Sequence, residues 1–142
     1  MPAIRFPASA IPLLSLCKGH GENFIFRTYA DLIGFLAAYG FKLSADYDEP
    51  LPTKLEFASN PNAIELDIFS NRGLYSNFLI IAMWYETWKA YSTDDDLLCK
   101  LIEKHVALGA IHLSRILGES DSRMSIVELL ISDKIEPSEI TI

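Results

Sequence analysis

From Leu74 to Tyr91 the sequence is apolar on more than one helical stripe. Phe78, Ala82, Tyr85 and Trp88 recur at helical spacing, and Leu79, Ile81 and Trp84 widen the stripe. This pattern predicts one long, largely buried helix over 74–91. A helix that is hydrophobic all round has to be covered on all sides. A chain of 142 residues has few elements for that task. Either the rest of the chain covers the helix, or a second copy or a partner protein completes the cover. For Trp84 and Trp88 the favoured reading is core. If an interface exists, its expected contact residues are Tyr85, Trp88 and Tyr91, in a homodimer or a hetero-complex.

The elements available for covering it are mostly helical. Thr28 is a good N-cap with Asp31 on the first turn, and Leu32, Ile33, Phe35, Leu36 and Tyr39 follow at helical spacing until Gly40. A helix is expected over 28–39. Ser92-Thr93-Asp94 opens another, with a stripe of Leu97, Leu98, Leu101, Val106, Leu108, Ile111, Leu113 and Ile116. Asp94, Asp95 and Asp96 lie on its first turn and Gly118 closes it. A shorter helix is expected after Ser120 or Asp121, through Ile126–Ile131, followed by a tail over 133–142. The first 23 residues look irregular, with a short helix possible over 11–18, where Pro12 falls in the first turn. Gly19 suits a left-handed position behind it.

Residues 41–53 read as a loop. Lys54–Ala58 and Ala63–Phe69 alternate apolar with polar residues around Ser59-Asn60-Pro61-Asn62, which predicts a β-hairpin. The alternative is that 64–69 form a helical turn leading into the next helix. The expected fold is mainly α: one domain over 1–142, a bundle of about five helices with a small β-hairpin appendage. No internal repeat or dividing linker is visible.

Twelve basic against nineteen acidic residues give a formal charge of −7. Tight direct binding of nucleic acid, which usually requires the opposite sign, is not expected. Residues 1–45 sum to +2 and residues 46–142 to −9. The acidic part reads as solubilising surface, the alternative being a docking face for a basic partner. Leu14-Ser15-Leu16-Cys17 resembles a lipobox only faintly, and Pro7 and Pro12 interrupt the apolar run. A signal peptide is therefore not expected. The longest strongly apolar run, Phe78–Tyr85, is too short to span a bilayer. The expected address is the cytoplasm. Cys17 and Cys99 sit in apolar surroundings and should be buried, reduced thiols.

Chemistry-bearing patterns are sparse. His105 and His112 are two helical turns apart, about 10 Å along the axis, too far to share one ion. Glu65 and Asp67 would share one face of a strand, with Lys54 and Glu56 across from them. The simplest meaning is a cross-strand ion pair, and the alternative is a small metal-dependent nuclease using these acids. Counting an EF-hand loop from Asp94 puts Cys99 and His105 where glycine and glutamate are required. There is no G-x-S-x-G, and the Gly19/Gly21 pair lacks the rest of a phosphate fingerprint. Around Trp84, Tyr85, Trp88 and Tyr91 only Glu86 and Lys89 carry charge, so base stacking would lack its electrostatic support. No catalytic, cofactor-binding or metal-ligating residue is expected.

Phe24–Phe41, with its threonine-capped, alanine-rich, glycine-terminated helix, then Ile64-Glu65-Leu66-Asp67-Ile68-Phe69, then Asn71-Arg72-Gly73, then an apolar helix and an acid-capped one, resembles small bacterial proteins associated with Dnd systems. Those systems place sulfur in the DNA backbone and restrict unmodified DNA. The resemblance covers roughly residues 24–118 and matches no catalytic group. It implies an accessory role in phage defence, with another defence protein or a second copy as the partner. The Trp-rich segment and the residues after Ser120 depart from the pattern.

Overall fold

The computed structural model describes residues 2–20 and 24–119. The last short helix expected after Ser120 and the tail over 133–142 lie outside the described residues. The chain divides into a unit of residues 1–111 and a unit of residues 112–142. The described part of the second is the end of the last described helix. The fold is mainly α, as expected. In chain order the described residues comprise strand β1 (Ala3–Ile4), a 3-10 helix (Ala8–Leu16), helix α1 (Tyr29–Tyr47), strand β2 (Ile64–Glu65), and helices α2 (Leu66–Asn71), α3 (Tyr75–Met83), α4 (Trp88–Thr93) and α5 (Asp95–Glu119).

Helix α1 starts where its cap predicts. The Thr28 Oγ1 accepts the Asp31 amide at 3.1 Å. It does not stop at Gly40, however, but runs on to Tyr47 and ends at Asp48, whose φ of 54° is left-handed. Residues 41–47 are therefore helix, not loop. Gly40 is used for proximity. A Cβ built on it would land on the backbone carbonyl of His105, and one built on Gly109 would land on that of Leu36. Leu36 and Gly40 on α1 thus meet His105 and Gly109 on α5, each pair one turn apart, and the two helix backbones touch.

The strands also pair differently from the expected hairpin. β1 runs antiparallel to β2, with Ala3 opposite Glu65 and Ile4 opposite Ile64. Pro7 then bridges Phe57, the Ala8 amide donates to the Glu56 carbonyl at 2.8 Å and the Ala58 amide to Phe6 at 3.0 Å. Segments 56–58 and 64–65 therefore lie along the same N-terminal segment, residues 3–8, instead of on each other. The reason is apolar matching. Ile4 and Phe6 are fully buried, and they provide the apolar partner that an isolated hairpin lacks. From Leu66 onward the chain is helical, which is the alternative weighed for this segment.

The N-terminal helix is 3-10 and begins three residues before the expected 11–18, with Pro12 inside it. Beyond it the Lys18 amide donates to Phe26 at 2.9 Å, and Gly19 turns the chain with φ of 101°. Helix α5 starts at Asp95 because Asp94 is its cap. The Asp94 Oδ1 accepts the amides of Asp96 (3.0 Å) and Leu97 (3.3 Å), and the helix continues through Gly118 to Glu119. The core of the first unit is built from Phe6, Leu32, Ile33, Leu36, Phe69, Phe78, Leu98 and Ile102, all essentially without solvent contact.

Candidate protein-interaction face

The long helix expected over 74–91 is broken in two. α3 ends at Met83, where the Trp84 and Tyr85 amides donate to Ile81 (3.2 Å) and Ala82 (3.1 Å), three residues back instead of four. α4 begins at Trp88. Trp84-Tyr85-Glu86-Thr87-Trp88 is rich in aromatic and β-branched residues, which lose rotamer freedom in a helix. Tyr85 also has a bond to make elsewhere: its hydroxyl lies 2.8 Å from the Nε2 of His105.

That bond belongs to a small buried network. The His105 Nδ1 is 2.9 Å from the Leu101 carbonyl, which only accepts. Nδ1 therefore carries the proton, and Nε2 accepts from the Tyr85 hydroxyl. Burial pushes the His105 pKa below its ordinary value. The Leu101 bond opposes that shift and neighbouring Lys104 adds to it. Burial likewise raises the Tyr85 pKa, against a bond from Ser44 and with a contribution from Tyr91. The ring of Phe41 lies 6.0 Å from that of His105 and edge-on to Trp84 at 5.7 Å.

Helix α3 is apolar on both sides. Phe78, Ile81 and Ala82 face the core and are buried. Ile80, Met83 and Trp84, at i, i+3 and i+4, form the opposite stripe and are 61%, 61% and 64% exposed. Trp88 follows at 38%, and α4 contains no buried residue. The core reading for Trp84 and Trp88 is thus corrected. With the helix broken at 84–87, the described elements cover only its inner stripe. Of the three expected contact residues, Trp88 is exposed, Tyr91 is half-buried, and Tyr85 is half-buried and engaged with His105 and, edge-on at 6.3 Å, with Tyr91. Ile80, Met83 and Trp84 were not among them. Their i, i+3, i+4 spacing is the signal that could have singled them out.

The other chemistry-bearing candidates are apart. Glu65 ends β2 and Asp67 lies in the first turn of α2, both exposed. They share no strand face, because the chain becomes helical at Leu66. Glu65 stands opposite Ala3 and not opposite Lys54 or Glu56. Both ring nitrogens of His105 have protein partners. Among the described residues no group of three or more His, Cys, Asp or Glu side chains is placed to hold a metal ion. Cys17 and Cys99 are free and buried. Burial, with nearby carboxylates, pushes their thiols up to about 11 and about 12, which leaves little reactive thiolate. No described helix is long and apolar enough to cross a membrane.

No protein-family model, curated protein or solved structure matches the chain.

Proposed function

We propose that this chain is a non-catalytic, protein-binding accessory factor that works in the cytoplasm within a bacterial DNA-modification-linked defence system. The observation that carries the binding role is the exposed outer stripe of α3, Ile80, Met83 and Trp84, continued by Trp88. Contiguous exposed apolar surface on a small domain marks an interaction site. Tryptophan and methionine are enriched at the centres of such sites. The stripe is held rigidly from behind, since Phe78 and Ile81 anchor α3 in the core and Phe41 supports Trp84. The placement in defence against phage rests on the likeness of residues 24–118 to Dnd-associated proteins. The charge of −7 supports a protein partner over direct contact with DNA.

The test is co-expression of the tagged chain with the DNA-modification and restriction proteins encoded beside it. At least one of them should co-purify with the parent chain and be lost from a Trp84→Glu, Trp88→Glu double variant. Equal recovery by the double variant would place the interface elsewhere. Neighbouring genes without modification or restriction functions would remove the basis of the defence assignment.

A further inference from the structure

Glu103 is a carboxylate on α5 that is 2% exposed. It accepts the Arg5 backbone amide at 2.7 Å, and the Arg5 Nε and Nη2 at 3.0 and 2.8 Å. The Arg5 guanidinium also lies over the Phe57 ring, 3.6 Å from its centroid. Arg5 is therefore fixed in place from two sides. Beside it is an open depression of about 240 Å³ lined also by Thr53, Lys100 and Lys104.

The charge in that depression is unusual for this chain. Arg5, Lys100 and Lys104 against Glu103 leave +2 on a protein of −7. Lys100 and Lys104 are one helical turn apart, a spacing at which like charges repel. Among the described residues neither makes an ion pair. Asp96, one turn before Lys100, lines the adjoining depression and bounds the positive region on that side. The two ammonium groups repel each other, the Asp96 carboxylate four residues before Lys100 eases that repulsion in part, and a bound anion would ease it further.

The geometry points to a site for a phosphate monoester or free phosphate dianion. Arg5 has committed its Nε–Nη2 edge to Glu103, and its Nη1 hydrogens and second Nη2 hydrogen remain as donors. Together with the Lys100 and Lys104 ammonium groups and the Thr53 hydroxyl, they form a set with more charge and more donors than a monovalent carboxylate uses, suited to a compact tetrahedral dianion. A phosphate monoester carries about −1.5 to −2 near neutral pH, which matches the local +2. Leu55 also lines a neighbouring depression of about 570 Å³, whose wall includes Pro7, Pro52, Ala107 and Ile111 as well as Lys54 and Glu56. The organic part of an ester reaching past Leu55 would meet that wall.

The test is calorimetric titration of the full chain with inorganic phosphate, phenyl phosphate and acetate at constant ionic strength set by chloride. Saturable binding of at least one phosphate is expected, with acetate weaker by about tenfold or more. Tighter binding of phenyl phosphate identifies an organic ester as the ligand, and tighter binding of inorganic phosphate identifies the free ion. Lys100→Gln and Lys104→Gln should each weaken binding about tenfold, while Lys89→Gln, on α4, leaves it unchanged. Without phosphate Lys104→Gln should unfold at the same temperature as the parent or higher, because repulsion is relieved. Heats that do not saturate, equal binding of acetate, or unchanged affinity in Lys100→Gln and Lys104→Gln would each overturn the assignment.

Discussion

Gly40 occupies the middle of α1, where glycine ordinarily weakens a helix by about 1 kcal/mol relative to alanine. Here the missing side chain lets the backbone of α1 lie against the His105 carbonyl of α5. That carbonyl belongs to a helix and cannot swing aside as a flexible side chain can. Gly40→Ala is therefore expected to lower stability by about 1–3 kcal/mol despite its better helix propensity, read as a fall in the urea midpoint. A rise would show that the crossing has slack. From sequence alone, a glycine that ends a helix and one that admits a second helix look alike. Only the continuation of apolar spacing from Tyr39 to Leu43 distinguished them. His105 carries a second prediction at this scale. Its folded pKa lies below its ordinary value of 6.5, so the unfolded chain takes up the proton first on acidification. Stability should fall as pH drops below about 6.5, until the folded form is also protonated. A His105→Gln variant should lose that slope between pH 6.5 and 5 in denaturant titrations. An unchanged slope would assign it to other groups.

Helix identity was legible wherever caps and spacing agreed, as at Thr28 for α1 and at the aspartates of α5. Long-range pairing was not. Residues 54–58 and 64–68 alternate like two strands of one hairpin, yet their edges meet residues 3–8, some fifty positions earlier. Alternation reports which face of a strand is apolar and does not report its partner. The break between α3 and α4 was hidden for a related reason. Apolar periodicity continues across 84–87, while the Tyr85–His105 bond that draws the chain inward joins residues twenty positions apart. The candidate face was legible in part. Trp88 and Tyr91 were singled out, but Ile80, Met83 and Trp84 were absorbed into an assumed buried helix. Because these side chains are exposed, Met83→Ser with Trp84→Ser should shift stability by no more than about 0.5 kcal/mol per site. A loss several times larger in thermal or urea unfolding would mean that the stripe is structural.

At the scale of the whole molecule, acidic charge and exposed apolar surface act together. A charge of −7 keeps copies soluble and apart, so association has to be driven by a local patch able to outweigh repulsion. Around that patch Glu86 and Lys89 are the nearest charges in sequence, and they cancel. The Lys89 ammonium also lies 5.9 Å from the Trp88 ring. Association should therefore depend on Trp84 and Trp88 and should hold or strengthen, not weaken, as salt screens the repulsion. The claim that the outer face of α3 exists to be covered is tested most directly by light scattering on the parent chain and on a Met83→Glu, Trp84→Glu variant. Each is purified after co-expression with the proteins encoded by the neighbouring genes. The account predicts a parent particle well above the 15.9 kDa of one chain, and a variant that is folded and monomeric. A parent that stays monomeric and recovers none of those proteins, or a variant that assembles as the parent does, would contradict it.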